Sequence, residues 1–284
     1  MYKQRPLLGF HASISGGLYK ALEQAGTLGC PTVQLFTKNN RSWSEPSITP
    51  EMITQFIRVK QEQKVMVTVS HASYLINLAS ARPQVRQNSL RALKEELARS
   101  SLLEIDYVVL HPGSYVDHSF NDGINYLIEG CNRALENNHS TTLLLETMAG
   151  QGSSIGRRFE ELAMILEKIE HKTKVGICLD TCHIFAAGYP LTTDENYNNL
   201  LDEFNIICGL QKLKTIHVND SKKECGSLVD RHENIGEGKI GLNFFKNIMN
   251  DSRLEHVAKI LETPKDSLED DARNIQTLLK LIKK

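Results

Sequence analysis

The sequence predicts an α/β protein built as one (β/α)8 barrel, the TIM-barrel class, spanning residues 1–284. The first observation behind this prediction is that eight short apolar runs alternate with eight longer amphipathic segments. The second is that the runs are rich in Val, Ile and Leu without polar alternation, as in parallel strands buried on both faces. The third is the length, because 284 residues are close to the size of a single barrel. A doubly wound open sheet is the alternative architecture.

The apolar runs predict the strands, which in order are Leu7–Phe10, Thr32–Phe36, Val65–Val69, Tyr107–Leu110, Thr142–Leu145, Val175–Leu179, Leu213–Ile216 and Ala258–Leu261. The helices predicted to follow them are Gly17–Gly29, Thr49–Gln63, Val85–Leu103, Gly123–Glu136, Phe159–Ile169, Tyr197–Cys208, Leu242–Met249 and Asp270–Ile282. The second helix has the clearest start, because Thr49 is a favoured N-cap and Pro50 suits the first helical position. No linker rich in Pro, Gly or Ser interrupts the alternation, so a single domain is expected.

Composition indicates an ordinary globular protein, with 40% hydrophobic and 24% charged residues and a net charge of −1. The chain lacks the strong positive charge of many DNA-binding domains, so DNA phosphates would have to meet a local patch or bound metal. The six cysteines form no C-x-x-C pair, which favours reduced thiols and a cytoplasmic location. The Met1–Pro6 segment has no signal-peptide character, and no stretch suits a membrane span. No assembly motif is evident, so a monomer is expected.

Metal-binding residue types follow nearly every predicted strand. Because the carboxyl ends of barrel strands meet at one face, these side chains should line one pocket. Five imidazoles and four carboxylates crowded together need cations to balance their charge, and such mixed ligands suit zinc well and manganese less well. At about three to four ligands per ion, two or three metals are expected. The nine residues are His71, His111, Glu146, Asp180, His183, His217, Asp230, His232 and Glu262.

Each of these residues also has an ordinary structural explanation. A histidine at a strand end is usually a hydrogen-bonded polar residue, and Asp180 could simply cap a helix. Joint placement at strand ends favours the metal interpretation. The spacing of Asp180 and His183 lets them serve different metals, and His183 could share one metal with Asp230 and His232. His11 is expected to orient a ligand from behind, and Cys182, between Asp180 and His183, is interpreted as a packing residue.

Several short motifs occur in a fixed order over nearly the whole chain. They are LFTKN at 35–39, HASYLINL at 71–78, HPGS at 111–114, LET at 145–147 with AGQG at 149–152, LDTCH at 179–183, HVND at 217–220, DRHENIGEG at 230–238 and LETP at 261–264. Through these motifs the sequence resembles the endonuclease IV family, also called AP endonuclease family 2. The DTCH and DRH…GEG elements are the most specific. Departures from the family pattern are Thr147, where Asn is frequent, and Ala79–Arg82.

The resemblance implies three zinc ions per chain, with Mn2+ accepted in part. His71, His111 and Glu146 would hold the first zinc. Glu146 would bridge to the second, which Asp180, His217 and Glu262 would complete. His183, Asp230 and His232 would hold the third.

The resemblance also implies a DNA-repair nuclease that hydrolyses the phosphodiester 5′ to abasic sites in duplex DNA. The products would be a 3′-hydroxyl and a 5′-deoxyribose phosphate, and blocked 3′ ends would be cleaned by the same chemistry. Glu146 and Glu262 would be catalytic, because one of them orients the water that attacks phosphorus. Arg41, Tyr74 and Leu75 would contact DNA as a wedge, and Lys38 would contact phosphate. A nucleotide without a base has already lost its stacking, so flipping it costs less.

Two other functions suit parts of the same pattern. A metal-dependent sugar isomerase or epimerase on a related barrel needs one or two metals and a closed pocket for a polyol. The ligands for a third ion, in the DRH segment, argue against it. A zinc-stabilised DNA-binding scaffold without catalysis would favour closed, cysteine-rich ligation, which is absent here.

Overall fold

Eight parallel strands form the centre of the molecule in a computed structural model, which describes residues 6–43, 46–137 and 139–283. The expectation for the Met1–Pro6 segment falls mainly on residues 1–5, outside the described residues. The strands are β1 (Leu8–Phe10), β2 (Thr32–Leu35), β3 (Val67–His71), β4 (Tyr107–Leu110), β5 (Thr142–Glu146), β6 (Val175–Asp180), β7 (Leu213–His217) and β10 (Ala258–Leu261). They pair in the order β1-β10-β7-β6-β5-β4-β3-β2.

The sheet curls until its two edge strands, β1 and β2, meet. A parallel bridge joins His11 to Gln34, and the amide of Ala12 donates to the Gln34 carbonyl at 2.7 Å. Gly9 allows this approach, because a Cβ at that position would overlap the carbonyl oxygen of Thr32. The predicted barrel is therefore confirmed, and the open-sheet alternative is wrong.

Helices surround the barrel and cover its apolar outer face. They are α1 (Tyr19–Thr27), α2 (Pro50–Glu62), α3 (Pro83–Leu102), α4 (Phe120–Leu135), α5 (Phe159–Lys168), α6 (Thr181–Ala187), α7 (Asp194–Ile207), α8 (Leu242–Asn250) and α9 (Leu268–Lys280). As predicted, Thr49 caps α2, since its hydroxyl accepts a hydrogen bond from the Met52 amide at 3.3 Å. Within the described ranges, no helix combines the length and apolar character needed to cross a membrane.

The barrel interior explains why the predicted site residues share one face. A small cluster of buried residues fills the inside of the barrel, namely Val69, Val109, Leu144, Cys178 and Ile260. Side chains two positions apart on a strand point to the same side. Two positions beyond these five residues stand His71, His111, Glu146, Asp180 and Glu262. The same period relates Thr215 to His217, so the strands direct all six side chains into the carboxyl-terminal mouth of the barrel.

Strand β3 corrects one predicted boundary, because it runs over Val67–His71 instead of Val65–Val69. Lys64 adopts a left-handed backbone conformation, with φ of 56°, and the Val65 amide donates back to Lys60 at the end of α2. Val65 therefore belongs to the helix end, and the strand starts two residues later. As a result, His71 is the last residue of its strand and not the first residue of a loop.

Two elements between the strands and helices were not predicted. Helix α6 follows β6 directly, and a short antiparallel pair joins β8 (Asp220–Ser221) to β9 (His232–Glu233). The segment between these two strands, which was expected to be a polar loop, is therefore held at both of its ends by strand pairing. The Asp220 carboxylate holds it further by accepting hydrogen bonds from the amides of Gly236, Gly238 and Ile240 at 2.9–3.2 Å.

Candidate metal centre

The nine predicted metal-binding residues converge at the mouth of the barrel. Within each of three sets, the nitrogen and oxygen atoms able to bind a metal lie within 4.8 Å of one another. The first donor group is His71, His111 and Glu146. The second donor group is Glu146, Asp180, His217 and Glu262, and the third donor group is His183, Asp230 and His232. These sets coincide with the three that the family resemblance implies.

Glu146 belongs to both the first and the second donor group. Its Oε2 atom lies 3.3 Å from Nε2 of His71 and 3.1 Å from Nε2 of His111. Its Oε1 atom lies 2.9 Å from Nδ1 of His217. The two oxygens of one buried carboxylate therefore face two separate groups of ligand atoms, as a bridging ligand requires.

The second donor group is completed by side chains from β6 and from the residue after β10. Nδ1 of His217 lies 3.2 Å from Oε2 of Glu262 and 3.8 Å from Oδ2 of Asp180. Asn219 holds both residues: its Nδ2 donates to the Asp180 carboxylate at Oδ2, and its Oδ1 accepts from the Glu262 backbone amide, both at 2.8 Å. The carboxylates of Glu146, Asp180 and Glu262 thus face Nδ1 of His217 at the mouth of the barrel.

The third donor group depends on α6, because Asp180 caps this helix and fixes His183 in its first turn. Oδ1 of Asp180 accepts a hydrogen bond from the His183 amide at 2.9 Å, so the predicted capping role is found alongside the place of Asp180 in the second donor group. Nε2 of His183 lies 3.1 Å from Oδ2 of Asp230, and Nε2 of His232 lies 3.2 Å from Oδ1 of the same carboxylate.

Hydrogen bonds to the backbone set the orientation of three imidazole rings. The Nδ1 atoms of His71, His183 and His232 lie 2.8–3.0 Å from the carbonyl oxygens of Ala72, Thr147 and Glu262. A carbonyl only accepts, so each Nδ1 carries a proton. When such a ring is neutral, its lone pair is on Nε2, which faces the pocket. The Nε2 atoms of His183 and His232 are buried and make no hydrogen bond with the described residues. Lone pairs held in this way fit a metal ion.

The electrostatics of the pocket also favour cations. Burial by itself raises the pKa of Glu146, but the imidazoles of His217 and His111 outweigh it and hold this pKa well below the usual range. The pKa of Glu262 is lowered in the same way, against burial, by His217 and His11. Burial lowers the pKa of His183, yet the Asp180 carboxylate and its neighbours hold it well above the ordinary histidine value. Glu146 and Glu262 are therefore ionised and attract positive charge.

Two buried cysteines lie close enough to join donor groups, Cys178 beside Glu146 and Cys182 beside Asp180. Burial raises the pKa of Cys178 to about 12 and raises that of Cys182 as well. Both thiols stay protonated at neutral pH, which disfavours them as ligands because metals bind the thiolate. This agrees with the interpretation of Cys182 as a packing residue.

Sequence reasoning missed three residues that hold the ligands in place. Gln34 on β2 contacts both Glu262 and His217, although no His, Asp or Glu directly follows the predicted strand Thr32–Phe36. Asn219 follows β7 within the HVND motif. The Thr147 hydroxyl accepts a hydrogen bond from the Asp180 backbone amide at 2.9 Å. Threonine at this position, where Asn is frequent in the family, therefore still provides an acceptor oxygen. His11 was expected behind a ligand, and its Nδ1 lies 3.1 Å from Oε1 of Glu262.

The predicted DNA-contacting residues lie on two neighbouring loops beside the donor groups. Tyr74 is 55% exposed, and its ring centre lies 5.2 Å from that of His71 and 5.4 Å from that of His111. Leu75 is partly buried next to it. The hydroxyl of Ser73 donates to the Asn40 carbonyl at 2.6 Å, which joins the two loops.

Arg41 is exposed on the second of these loops. Lys38 is only 5% exposed, and its ammonium donates to the Ser42 carbonyl at 2.8 Å. In this conformation Lys38 supports the loop that carries Arg41, and it does not present its charge at the surface.

Comparison with known proteins places the chain in a family. The model of the "Xylose isomerase-like TIM barrel" family matches residues 22–284. "Probable endonuclease 4" of Halothermothrix orenii is 42% identical over 274 residues, which cover 96% of this chain and 99% of that protein. "Probable endonuclease 4" of Chloroflexus aurantiacus is 40% identical, covering 98% of each chain. The crystal structure of endonuclease IV from Thermus thermophilus superposes with a TM-score of 0.86 and 35% identity, covering 97% of this chain and 98% of that one. By full-length sequence and by fold, the chain belongs to the endonuclease IV family.

Proposed function

We propose that this protein is a zinc-dependent DNA-repair endonuclease that hydrolyses the phosphodiester 5′ to abasic sites in duplex DNA. The observation that carries the proposal is the convergence of three donor groups at the mouth of one barrel. Zinc fits these groups, because they combine imidazole nitrogens, whose lone pairs are already directed, with ionised carboxylates. The names of the relatives, "Probable endonuclease 4", add support for the reaction class.

The three donor groups would hold one zinc each, with Glu146 shared between the first and second. When bound, the metals would supply an activated water at neutral pH and positive charge to stabilise the phosphorane-like transition state and the leaving oxygen. Four of the nine residues are carboxylates, which suit Mn2+, so the same groups would also accept that ion in part.

Glu262 is the side chain best placed to take up the proton of the attacking water. Its carboxylate is 13% exposed at the mouth of the barrel, whereas that of Glu146 is 1% exposed. A hydrogen bond from Gln34 fixes its side chain, and the Glu262 backbone amide is held by donating to Oδ1 of Asn219. Glu146 is buried between two donor groups, which suits a bridging ligand. Glu262 is therefore the proposed general base, and Glu146 would be the ligand shared by the first and second donor groups.

The exposed loops beside the donor groups would recognise the abasic site by the shape of the DNA and not by its bases. Tyr74 stands above the first donor group, and Leu75 lies beside it, so an apolar wedge could replace stacking lost at an abasic site. Arg41 on the adjoining loop would contact the duplex as a planar cation. Lys38 stays a prediction as a phosphate contact, and in the present conformation it stabilises the Arg41 loop.

The test of the proposal is incision of a labelled duplex that holds one tetrahydrofuran abasic analogue, with metal content measured on the same sample. We expect a single cut on the 5′ side of the analogue, a 3′-hydroxyl product and about three zinc ions per chain, at three to four ligands each. A duplex ending in a 3′-phosphoglycolate serves as the probe for end cleaning. Fully loaded protein that leaves both duplexes intact but interconverts aldoses and ketoses would establish a sugar isomerase instead.

The wedge assignment predicts a loss of discrimination without a loss of metal. Replacing Tyr74 and Leu75 with Gly removes the groups expected to stack in the duplex, and stacking contributes about 1–3 kcal/mol per residue. We expect KM for the abasic duplex to rise roughly 10-fold or more, with zinc content unchanged. The matched control is Met66→Ala, which removes an equally exposed side chain, also 55%, at the opposite end of β3. Loss of zinc from the double variant would contradict the wedge assignment.

A further inference from the structure

The second donor group depends on a residue that carries no charge and binds no metal. Gln34 is completely buried on β2, and its amide contacts Glu262 after β10 and His217 on β7 at the mouth of the barrel. Its Nε2 donates to Oε1 of Glu262 at 2.5 Å, and its Oε1 lies 2.8 Å from Nε2 of His217. One side chain thus contacts two members of the same donor group.

The direction of these hydrogen bonds follows from which atoms can donate. A carboxylate only accepts, so the amide nitrogen of Gln34 must face Glu262 and the amide oxygen must face His217. The reverse orientation of the amide would set its oxygen against the oxygen of Glu262. Because the amide oxygen only accepts, Nε2 of His217 must carry a proton. Nδ1 of a neutral His217 then has the free lone pair.

This arrangement makes His217 different from the other oriented histidines. In His71, His183 and His232 the proton is on Nδ1, held by a backbone carbonyl, and Nε2 faces the pocket. In His217 the relation is reversed, and Nδ1 faces Glu146 at 2.9 Å and Glu262 at 3.2 Å. A backbone carbonyl survives every substitution, whereas the acceptor for His217 is a side chain that a single substitution removes.

We propose that Gln34 is a positioning residue of the metal centre, which selects Nδ1 of His217 as the ligand atom and fixes the rotation of the Glu262 carboxylate. Without the amide oxygen, the buried Nε2–H of His217 has no acceptor. The imidazole ring and the Glu262 carboxylate then lose the Gln34 contacts that hold them in one orientation toward the pocket. This inference rests on the proposed zinc centre and adds the residue that pre-organises its second donor group.

The test compares Gln34→Leu with wild type, since leucine keeps much of the side-chain volume and removes both polar atoms. Outer partners of metal ligands typically contribute about 10–100-fold to metal affinity. We expect one class of zinc to bind roughly 10–100-fold more weakly in competition with a chromophoric chelator, while the zinc held by the third donor group binds as in wild type. The matched control is Gln24→Leu, because Gln24 also makes two amide hydrogen bonds, to Ser13 and Lys20, away from the donor groups.

Nitrogen NMR of ring-labelled histidines in the zinc-loaded protein gives a readout that does not depend on activity. In wild type and in Gln24→Leu, His217 should carry its proton on Nε2, with slow exchange against solvent. His71, His183 and His232 should carry theirs on Nδ1. In Gln34→Leu the slow exchange at Nε2 of His217 should disappear. Gln34→Glu, which keeps an acceptor oxygen toward His217, should retain it while lowering kcat through repulsion of Glu262.

The outcomes separate this inference from the proposed function. Wild-type protein that binds no zinc and cuts no abasic duplex counts against the proposed function. Wild-type protein that binds zinc, together with a Gln34→Leu variant of equal zinc affinity and an unchanged His217 signal, overturns the role of Gln34 alone. If Gln34→Leu fails to fold, Gln34→Glu decides the question, because unchanged kcat in that variant is incompatible with the proposed positioning of Glu262.

Discussion

Glu262→Gln should abolish most incision of abasic DNA while leaving the fold intact. The substitution keeps the size of the side chain and removes the negative charge that, in the proposed mechanism, would take up a proton from the attacking water. General-base groups contribute about 10²–10⁴-fold to rate, and we expect kcat to fall within that range. The circular dichroism spectrum should be unchanged, because Glu262 packs at the mouth of the barrel, outside the apolar core.

The control for this prediction is Glu233→Gln, a change of the same kind in the β9 strand next to His232. Glu233 lies near the mouth, pairs with Lys222 at 3.8 Å and belongs to none of the donor groups. Its incision rate should match wild type. Near wild-type incision by Glu262→Gln would contradict the assignment of Glu262 as the general base and would favour Glu146 in that role.

Removal of metal should have the second large effect, on activity and stability together. The donor groups place four carboxylates and five imidazoles in one pocket, and without cations the carboxylates repel one another. A ligand at a thousand times its dissociation constant stabilises the folded state by about 4 kcal/mol. We therefore expect a strong chelator to abolish incision and to lower Tm by several degrees or more for each ion removed.

Addition of zinc to the chelated protein should restore both properties, and the restored incision rate should follow the zinc content. The Tm of Glu262→Gln provides a useful comparison, because that variant should lose activity with far less loss of stability. Chelated, verifiably metal-free protein that cuts the abasic duplex at the wild-type rate would contradict the metal-centred mechanism as a whole.

The barrel and the position of the site were predictable because both depend on simple periods. Uninterrupted apolar runs mark strands buried on both faces, and side chains two residues beyond the interior residues Leu144 and Ile260 must enter the mouth. The predicted strand boundaries were less accurate. Val65 was assigned to β3 because it is apolar, but it packs at the end of α2 and does not pair in the sheet. Periodicity does not distinguish these two uses of a buried valine.

The supporting residues were harder to predict because their roles depend on neighbours distant in the sequence. Gln34 has no charge and lies inside an apolar run. Its contacts with Glu262 and His217 can be recognised only when β2, β7 and β10 are brought together in the barrel. Helix α6 is short and entirely buried, which leaves no amphipathic pattern to recognise. Lys38 was predicted to contact phosphate, but only 5% of the residue is exposed and its ammonium donates to the Ser42 carbonyl.

Closure of the barrel has a consequence for when activity can first arise during synthesis of the chain. His11 and Glu262 touch across 251 positions of sequence, and Gln34 and His217 across 183. Contacts of such separation form late in folding, because the loop between them must be ordered first. The chain is synthesised from its N-terminal end, so β1 and β2 are made well before β10. The second donor group can form only after β10 has been made and has paired with β1. A nascent or truncated chain that ends before β10 therefore lacks Glu262, and its second donor group is incomplete.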